Sequence, residues 1–173
     1  MRVIDTDSLR LEPQLAAHAQ EMFAVLSDPA IYEYENQPPA SLEWLRQRYS
    51  KLESRRSADG REQWLNWVIR LPDGDLIGFV QASVRRNGQA AIAYELSSAH
   101  WGRGLASQAV QAMISELAEH YAVMHLNAVL KLANLRSRRL LLRLGFSAVA
   151  PKFIAKHELA PDESLMQRRL DGV

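Results

Sequence analysis

Apolar residues along this chain recur with two different periods. From Gln14 to Leu26 they fall at helical spacing, at Leu15, Ala19, Met22, Phe23 and Leu26. Ser41 precedes Glu43 and Trp44 as an N-cap, which predicts a second helix running to about Ser54. Three stretches then take on strand character: Trp64–Leu71, Leu76–Val84 and Ala90–Ser97. The turn Pro72-Asp73-Gly74-Asp75 joins the first two and Asn87-Gly88 joins the last two, which predicts an antiparallel meander. The longest helical stripe follows, at Leu105, Ala109, Val110, Met113, Ile114 and Leu117. Ser8–Pro13 reads as an opening strand ended by proline, and Val123–Leu130 as a short apolar strand. Asn134–Leu144 is predicted to be a helix stopped by Gly145, with Phe146–Ala155 and Glu163–Leu170 as closing strands.

The order is strand, two helices, three-strand meander, helix, strand, helix, two strands. It predicts an α/β (α+β) fold, a mixed, mostly antiparallel twisted sheet of about six or seven strands with helices on both faces. It is not the strict βαβ alternation of a dinucleotide-binding fold.

Composition narrows the function classes. At 173 residues the chain is expected to form one domain spanning 1–173. A net charge of +1 argues against a global binder of nucleic acid or membrane surfaces. The absence of cysteine excludes disulfides, thiolate metal sites and a cysteine nucleophile. The N-terminal stretch has no apolar signal core and no apolar run approaches membrane-spanning length, so a cytoplasmic location is expected. The five histidines show no metal-ligand spacing, and no metal is expected.

The stretch His100–Val110, HWGRGLASQAV, places Gly102-Arg103-Gly104 at the mouth of the longest predicted helix. Glycines there serve either a tight turn or an anion held by helix N-terminal N–H groups. A P-loop would need a Gly-Lys-Ser/Thr ending that is absent. A Rossmann loop would need glycine or alanine where Ser107 stands, and an acid where Met124 and His125 stand.

Trp101-Gly102-Arg103-Gly104-Leu105-Ala106 resembles instead the pyrophosphate loop of the GNAT superfamily of acyl-CoA-dependent N-acetyltransferases. Asn134, Ser137 and Gly145-Phe146 resemble the N-x-x-S, helix, G-F arrangement of its Rim-type branch, which acetylates ribosomal-protein N-termini. The opening and closing strands also look like those of that branch, so the resemblance covers nearly the whole chain. It implies acetyl transfer from acetyl-CoA to a primary amine, a protein N-terminus or a small molecule, by direct attack in a ternary complex. A non-catalytic acyl-CoA-binding or interaction module on the same fold stays open as the alternative.

The resemblance also implies site residues. Arg103 to Ser107, including Leu105 and Ala106, would hold the pyrophosphate through backbone N–H groups, and a strand N–H near Leu96 to Ser98 would polarise the thioester carbonyl. Asn134 would meet the pantetheine arm, and Ser137 would lie near the sulfur and help protonate the thiolate. Lys131, Arg136, Arg138, Arg139 and Arg143 form an acid-free cationic run, read either as a solvated face or as a phosphate site for Arg136, Arg138 and Arg139. No aromatics interleave those cations, so nucleic acid is not an expected partner. Glu95 shares strand parity with Ala91 and Ala93, which leaves room for a substrate, and is the candidate general base. Tyr32, Tyr34 and Glu35 would line the acceptor site. Two positions depart from the family pattern: Ala91 stands where the Rim-type branch often has an acid, and Leu141 where other members use tyrosine. Glu158 is therefore the reserve base. The oligomeric state is not legible, and a homodimer stays open.

Overall fold

The computed structural model describes residues 1–34, 37–150 and 159–170. Its strands are β1 (Ile4–Asp5), β2 (Arg10–Pro13), β3 (Glu62–Arg70), β4 (Leu76–Arg85), β5 (Gln89–Leu96), β6 (His125–Lys131), β7 (Ser147–Ala148) and β8 (Glu163–Arg169). Its helices are α1 (Ala19–Val25), α2 (Leu42–Leu52), α3 (Leu105–Tyr121) and α4 (Leu135–Arg143). The eight strands form one sheet in the order β1-β2-β3-β4-β5-β6-β8-β7. Only β5 and β6 pair in parallel, through the crossover that contains α3. The meander β3-β4-β5 follows the expected strands closely.

Three expectations change. The sheet holds eight strands among the described residues, because the two-residue β1 and β7 pair at its ends. Of the expected Phe146–Ala155 strand, Ser147–Ala148 is strand among the described residues, and residues 151–158 lie outside the described part. The expected helix from Gln14 begins with a 3₁₀ turn, Ala16–His18, where His18 Nδ1 accepts the Leu15 N–H at 3.1 Å. That ring nitrogen reaches back to the N–H of the N-cap residue, the bond that a glutamate at the third position makes in a capping box, and draws in the first turn.

The alternating strands bury two cores. Leu65, Trp67 and Ile69 of β3 pack with α3 and α4 in the larger cluster, while Val68 turns to α1 and α2 in the smaller one. On β4 the alternation breaks: Ile69 pairs with Gly78 but Arg70 pairs with Leu76, so Ile77 is an extra residue. This bulge lets both Ile77 and Val80 enter the larger core. Beside it the β5 backbone comes very close to Gly78. A Cβ on Gly78 would overlap the Glu95 carbonyl oxygen and lie 2.9 Å from Leu96 Cα.

Asp28 fastens the segment after α1 to the end of β5. Its carboxylate accepts the Ala30 N–H at 3.0 Å, capping a 3₁₀ turn, and the Ser98 N–H at 2.8 Å.

Two expectations follow for stability. Gly78→Ala must push β5 aside at Glu95 and Leu96, at a cost of about 1–3 kcal/mol. A melting temperature lowered by several degrees, together with reduced turnover, checks this. The Asp28 carboxyl is held below its ordinary 3.8, first by the Ser98 hydroxyl and then by the Ser98 N–H. A depressed carboxyl stabilises above its unfolded value, and the contribution is lost as pH falls through the folded one. Asp28→Asn should therefore cost about 1 kcal/mol at pH 7 and flatten the fall in stability below about pH 4, as read by urea unfolding across pH.

Candidate active site

Parallel pairing of β5 with β6 covers only Gln89–Ala91 against His125–Asn127. Beyond it β5 continues to Leu96 and β6 to Lys131 without pairing each other, and the strands separate. A cleft of about 850 Å³ occupies that side of the molecule, lined by the ends of β5, α3 and α4 and by the loops before them.

The loop before α3 forms one wall. Gly102 and Gly104 have φ of +74° and +79°, and nothing lies within 4 Å of a Cβ at either position. Left-handed backbone, not a crowded neighbour, is thus what demands glycine here. Gly104 caps α3 without a side-chain bond, and the first intrahelical bond runs from Gln108 N–H to the Gly104 carbonyl at 3.1 Å. The N–H groups of Leu105, Ala106 and Ser107 precede that bond, so the helix itself supplies them no acceptor. Trp101 ties this loop across the cleft. Its Nε1 donates to the Leu96 carbonyl at 2.8 Å, and the Arg136 guanidinium lies 3.5 Å from its ring centroid.

The start of α4 forms the opposite wall. Asn134 Oδ1 accepts the Ser137 N–H at 3.0 Å and caps the helix. The Ser137 hydroxyl lies 2.7 Å from the Tyr94 hydroxyl. Burial pushes the Tyr94 phenol up to about 12, against the opposing pull of the Ser137 hydrogen bond. Arg136, Arg139 and Arg143 line the cleft, and Arg143 reaches Ser107 Oγ at 3.4 Å.

Some expected side chains fall elsewhere. Arg138 and the Arg103 side chain are exposed and do not line the cleft; Arg103 turns to His100 Nδ1 at 3.2 Å. Ser98 is not a lining residue, and its N–H is taken by Asp28. The Ser97 N–H donates to the Ile77 carbonyl at 2.8 Å, which makes Leu96 and Gly78 a non-hydrogen-bonded pair. The Leu96 N–H therefore points away from β4 toward the opened gap. Of the three strand N–H groups proposed for the carbonyl, Leu96 alone faces the cleft. Glu35 and Glu158 lie outside the described residues.

A second pocket, of about 330 Å³, lies on the α1/α2 face of the sheet. Tyr32, Trp44, Tyr49 and Phe79 give it aromatic walls, and Gln14, Gln81, Arg48 and Glu95 give it polar groups. The Tyr32 hydroxyl donates to the Leu26 carbonyl at 2.7 Å, while Tyr34 lines the larger cleft. Glu95 lines both cavities. Among the described residues no three metal-ligating side chains gather, and no helix is long and apolar enough to cross a membrane.

Sequence reasoning missed Tyr94, Tyr49 and Gln14. The legible signal for Tyr94 was a phenol at a core-facing strand position, where a buried hydroxyl needs a partner. Gln14 and Tyr49 carried no comparable signal.

Residues 8–147 match the family model for the Acetyltransferase (GNAT) domain. The chain is 26% identical over 147 residues to the uncharacterised N-acetyltransferase YoaA of Bacillus subtilis, covering 83% of this chain and 82% of that protein. The fold is similar to that of RimL, a ribosomal L7/L12 alpha-N-protein acetyltransferase in complex with coenzyme A, with TM-score 0.83, 17% identity, and 99% and 100% of the two chains covered. It is also similar to the ribosomal-protein-S5-alanine acetyltransferase of Vibrio fischeri, with TM-score 0.79, 17% identity, and 99% and 98% covered. A loop and a cap in the order that the motifs predicted, beside a splayed strand pair and under a model match spanning most of the length, make this chain a member of the GNAT acetyltransferase family.

Proposed function

We propose that this acetyltransferase moves the acetyl group of acetyl-CoA to a primary amine by direct attack within a ternary complex. The observation that carries the reading is the position of Glu95, on the lining of both the cofactor-sized cleft and the smaller pocket. An amine held in the pocket at that carboxylate sits at the mouth of the cleft.

The lining fits a phosphorylated, elongated cofactor. The left-handed Gly102-Arg103-Gly104 loop exposes the N–H groups at the start of α3, which suit a pyrophosphate. Arg139 and Arg143 supply guanidinium groups on the same lining, suited to a further phosphate. Arg136 is drawn into the stack on Trp101 and braces the wall.

Bound acetyl-CoA supplies an activated acetyl carbonyl and a thiolate leaving group. Leu96 offers its N–H to an oxygen in the gap, as an oxyanion-type donor. Glu95 accepts the proton of the incoming ammonium, which must become a free amine before it attacks. Ser137 presents its hydroxyl as the proton donor on the cofactor side. Tyr94 and Asn134 hold that serine from two directions, through its hydroxyl and its N–H. No cysteine is available for a covalent acetyl-enzyme. The fold shared with RimL supports a Rim-like placement of the site, and acceptors that present an α-amine, free or at a chain terminus, belong to this reading.

Two experiments test it. Arg139→Ala and Arg143→Ala should each weaken coenzyme A binding by calorimetry by about 1.5–3 kcal/mol, whereas Arg138→Ala should not. Equal affinity across the three variants would remove the phosphate assignment. Glu95→Gln should lower kcat about 100-fold or more at neutral pH with acetyl-CoA affinity retained. Activity should return in part above pH 9, because an α-amine with a pKa near 8 is then already neutral (about 7.7–8.0 in the free group). A flat profile at wild-type kcat would exclude Glu95 as the base.

A further inference from the structure

Two residues of the smaller pocket's lining carry polar atoms that find no partner among the described residues. Gln14 Nε2 and Tyr49 OH are buried without a described hydrogen-bond partner, and their residues are only 6% and 3% exposed. Both residues line the pocket. An unpaired buried polar group costs on the order of 1–3 kcal/mol. Phenylalanine would fill the Tyr49 site without that cost, so the hydroxyl has no structural use.

The neighbours give these atoms a direction. Burial, and next the charge of Glu95, push the Tyr49 phenol up, so it stays protonated and able to donate. Arg48 also lines the pocket, with its guanidinium 5.6 Å from the Trp44 ring centroid, and acts electrostatically on the same phenol. Three donors thus gather in the pocket, while Glu95 is the only carboxylate among its described lining residues. A carboxylate and a separate set of donors on one lining match a molecule that carries an ammonium and a carboxylate. Leu26, Leu52 and Phe79 complete the lining with apolar surface.

We infer that the acceptor is a free α-amino acid with an apolar side chain, its ammonium at Glu95 and its carboxylate met by Gln14, Tyr49 and Arg48. The inference rests on the acetyl-transfer reading above and specifies its acceptor. The new bond joins the α-nitrogen to the acetyl carbon as the carbon–sulfur bond breaks. Of the two protons that leave the ammonium, one ends on the sulfur and the other passes through Glu95 to water.

Thiol release from acetyl-CoA tests this with leucine and phenylalanine, their decarboxylated amines isopentylamine and phenethylamine, leucinamide, a leucine-initiated dipeptide, and spermidine. The amino acids should exceed the decarboxylated amines in kcat/KM roughly 10- to 100-fold. Gln14→Leu, Arg48→Gln and Tyr49→Phe should each raise KM for leucine about tenfold or more and leave KM for acetyl-CoA unchanged. Tyr49→Phe should also keep or raise the melting temperature, because the hydroxyl it removes has no partner among the described residues; a fall of several degrees would make the hydroxyl structural and overturn its assignment. Leucinamide or the dipeptide working as well as leucine would overturn the carboxylate recognition. Decarboxylated amines or spermidine working as well would overturn the acceptor class and leave acetyl transfer standing. No thiol release with any amine would overturn acetyl transfer itself, and this inference with it.

Discussion

The parallel contact between β5 and β6 runs for three register pairs and then stops. Two parallel strands cannot be joined by a hairpin, so the chain must cross over, and here α3 is the crossover. A helix that follows β5 directly starts beside the C-terminal end of that strand. Its N-terminal N–H groups therefore arrive where β5 and β6 have separated and no longer pair with each other. In mixed and parallel sheets this is where ligands bind, outside the carboxyl ends of strands at a switch in topology. One short ladder thus fixes the cleft and the helix start that faces it, while the β4 pairing turns the Leu96 N–H toward the same gap.

The separation has to be held open without exposing the strand ends to arbitrary pairing. Trp101 does this by capping the Leu96 carbonyl with its indole and stacking under Arg136 from α4. Ser97 stays bonded to β4 through Ile77, and Ser98 is claimed by Asp28. Around Leu96, then, the polar groups on either side are committed and its N–H is left facing the gap. The bulge at Ile77 brings β5 against Gly78 at the same level. That close approach helps set where the Glu95 side chain emerges.

Most of this architecture was legible in the pattern of residues. The meander could be read because strand alternation and Asn87-Gly88 act locally, and α3 because its apolar stripe is long. The loop glycines and the Asn134 cap also act over a few residues. What was not legible depends on contacts distant in sequence. β1 and β7 are too short to show a period, and they exist only because a partner strand is present. Arg138 and Arg139 are adjacent in sequence yet differ in whether they reach the cleft, which depends on how α4 is rotated against the sheet. The pairing of Tyr94 with Ser137 joins residues 43 apart. Ser98 falls outside the cleft lining for the same reason, since the carboxylate that occupies its N–H comes from residue 28.

The two faces of the sheet carry different burdens. The α3/α4 face holds the larger core and presents donors built into backbone geometry, which any acyl-CoA enzyme of this kind needs in fixed positions. The α1/α2 face holds a smaller core, and its pocket is defined by side chains: Gln14 before α1, Arg48 and Tyr49 on α2, Glu95 on β5. Side chains can be exchanged without disturbing a strand ladder, whereas the gap between β5 and β6 cannot move without taking α3 with it. On the proposed assignment of the cleft to the donor and the pocket to the acceptor, a fold arranged this way keeps the one constant while the other changes. Tyr49, whose hydroxyl finds no partner among the described residues, stands on that exchangeable face.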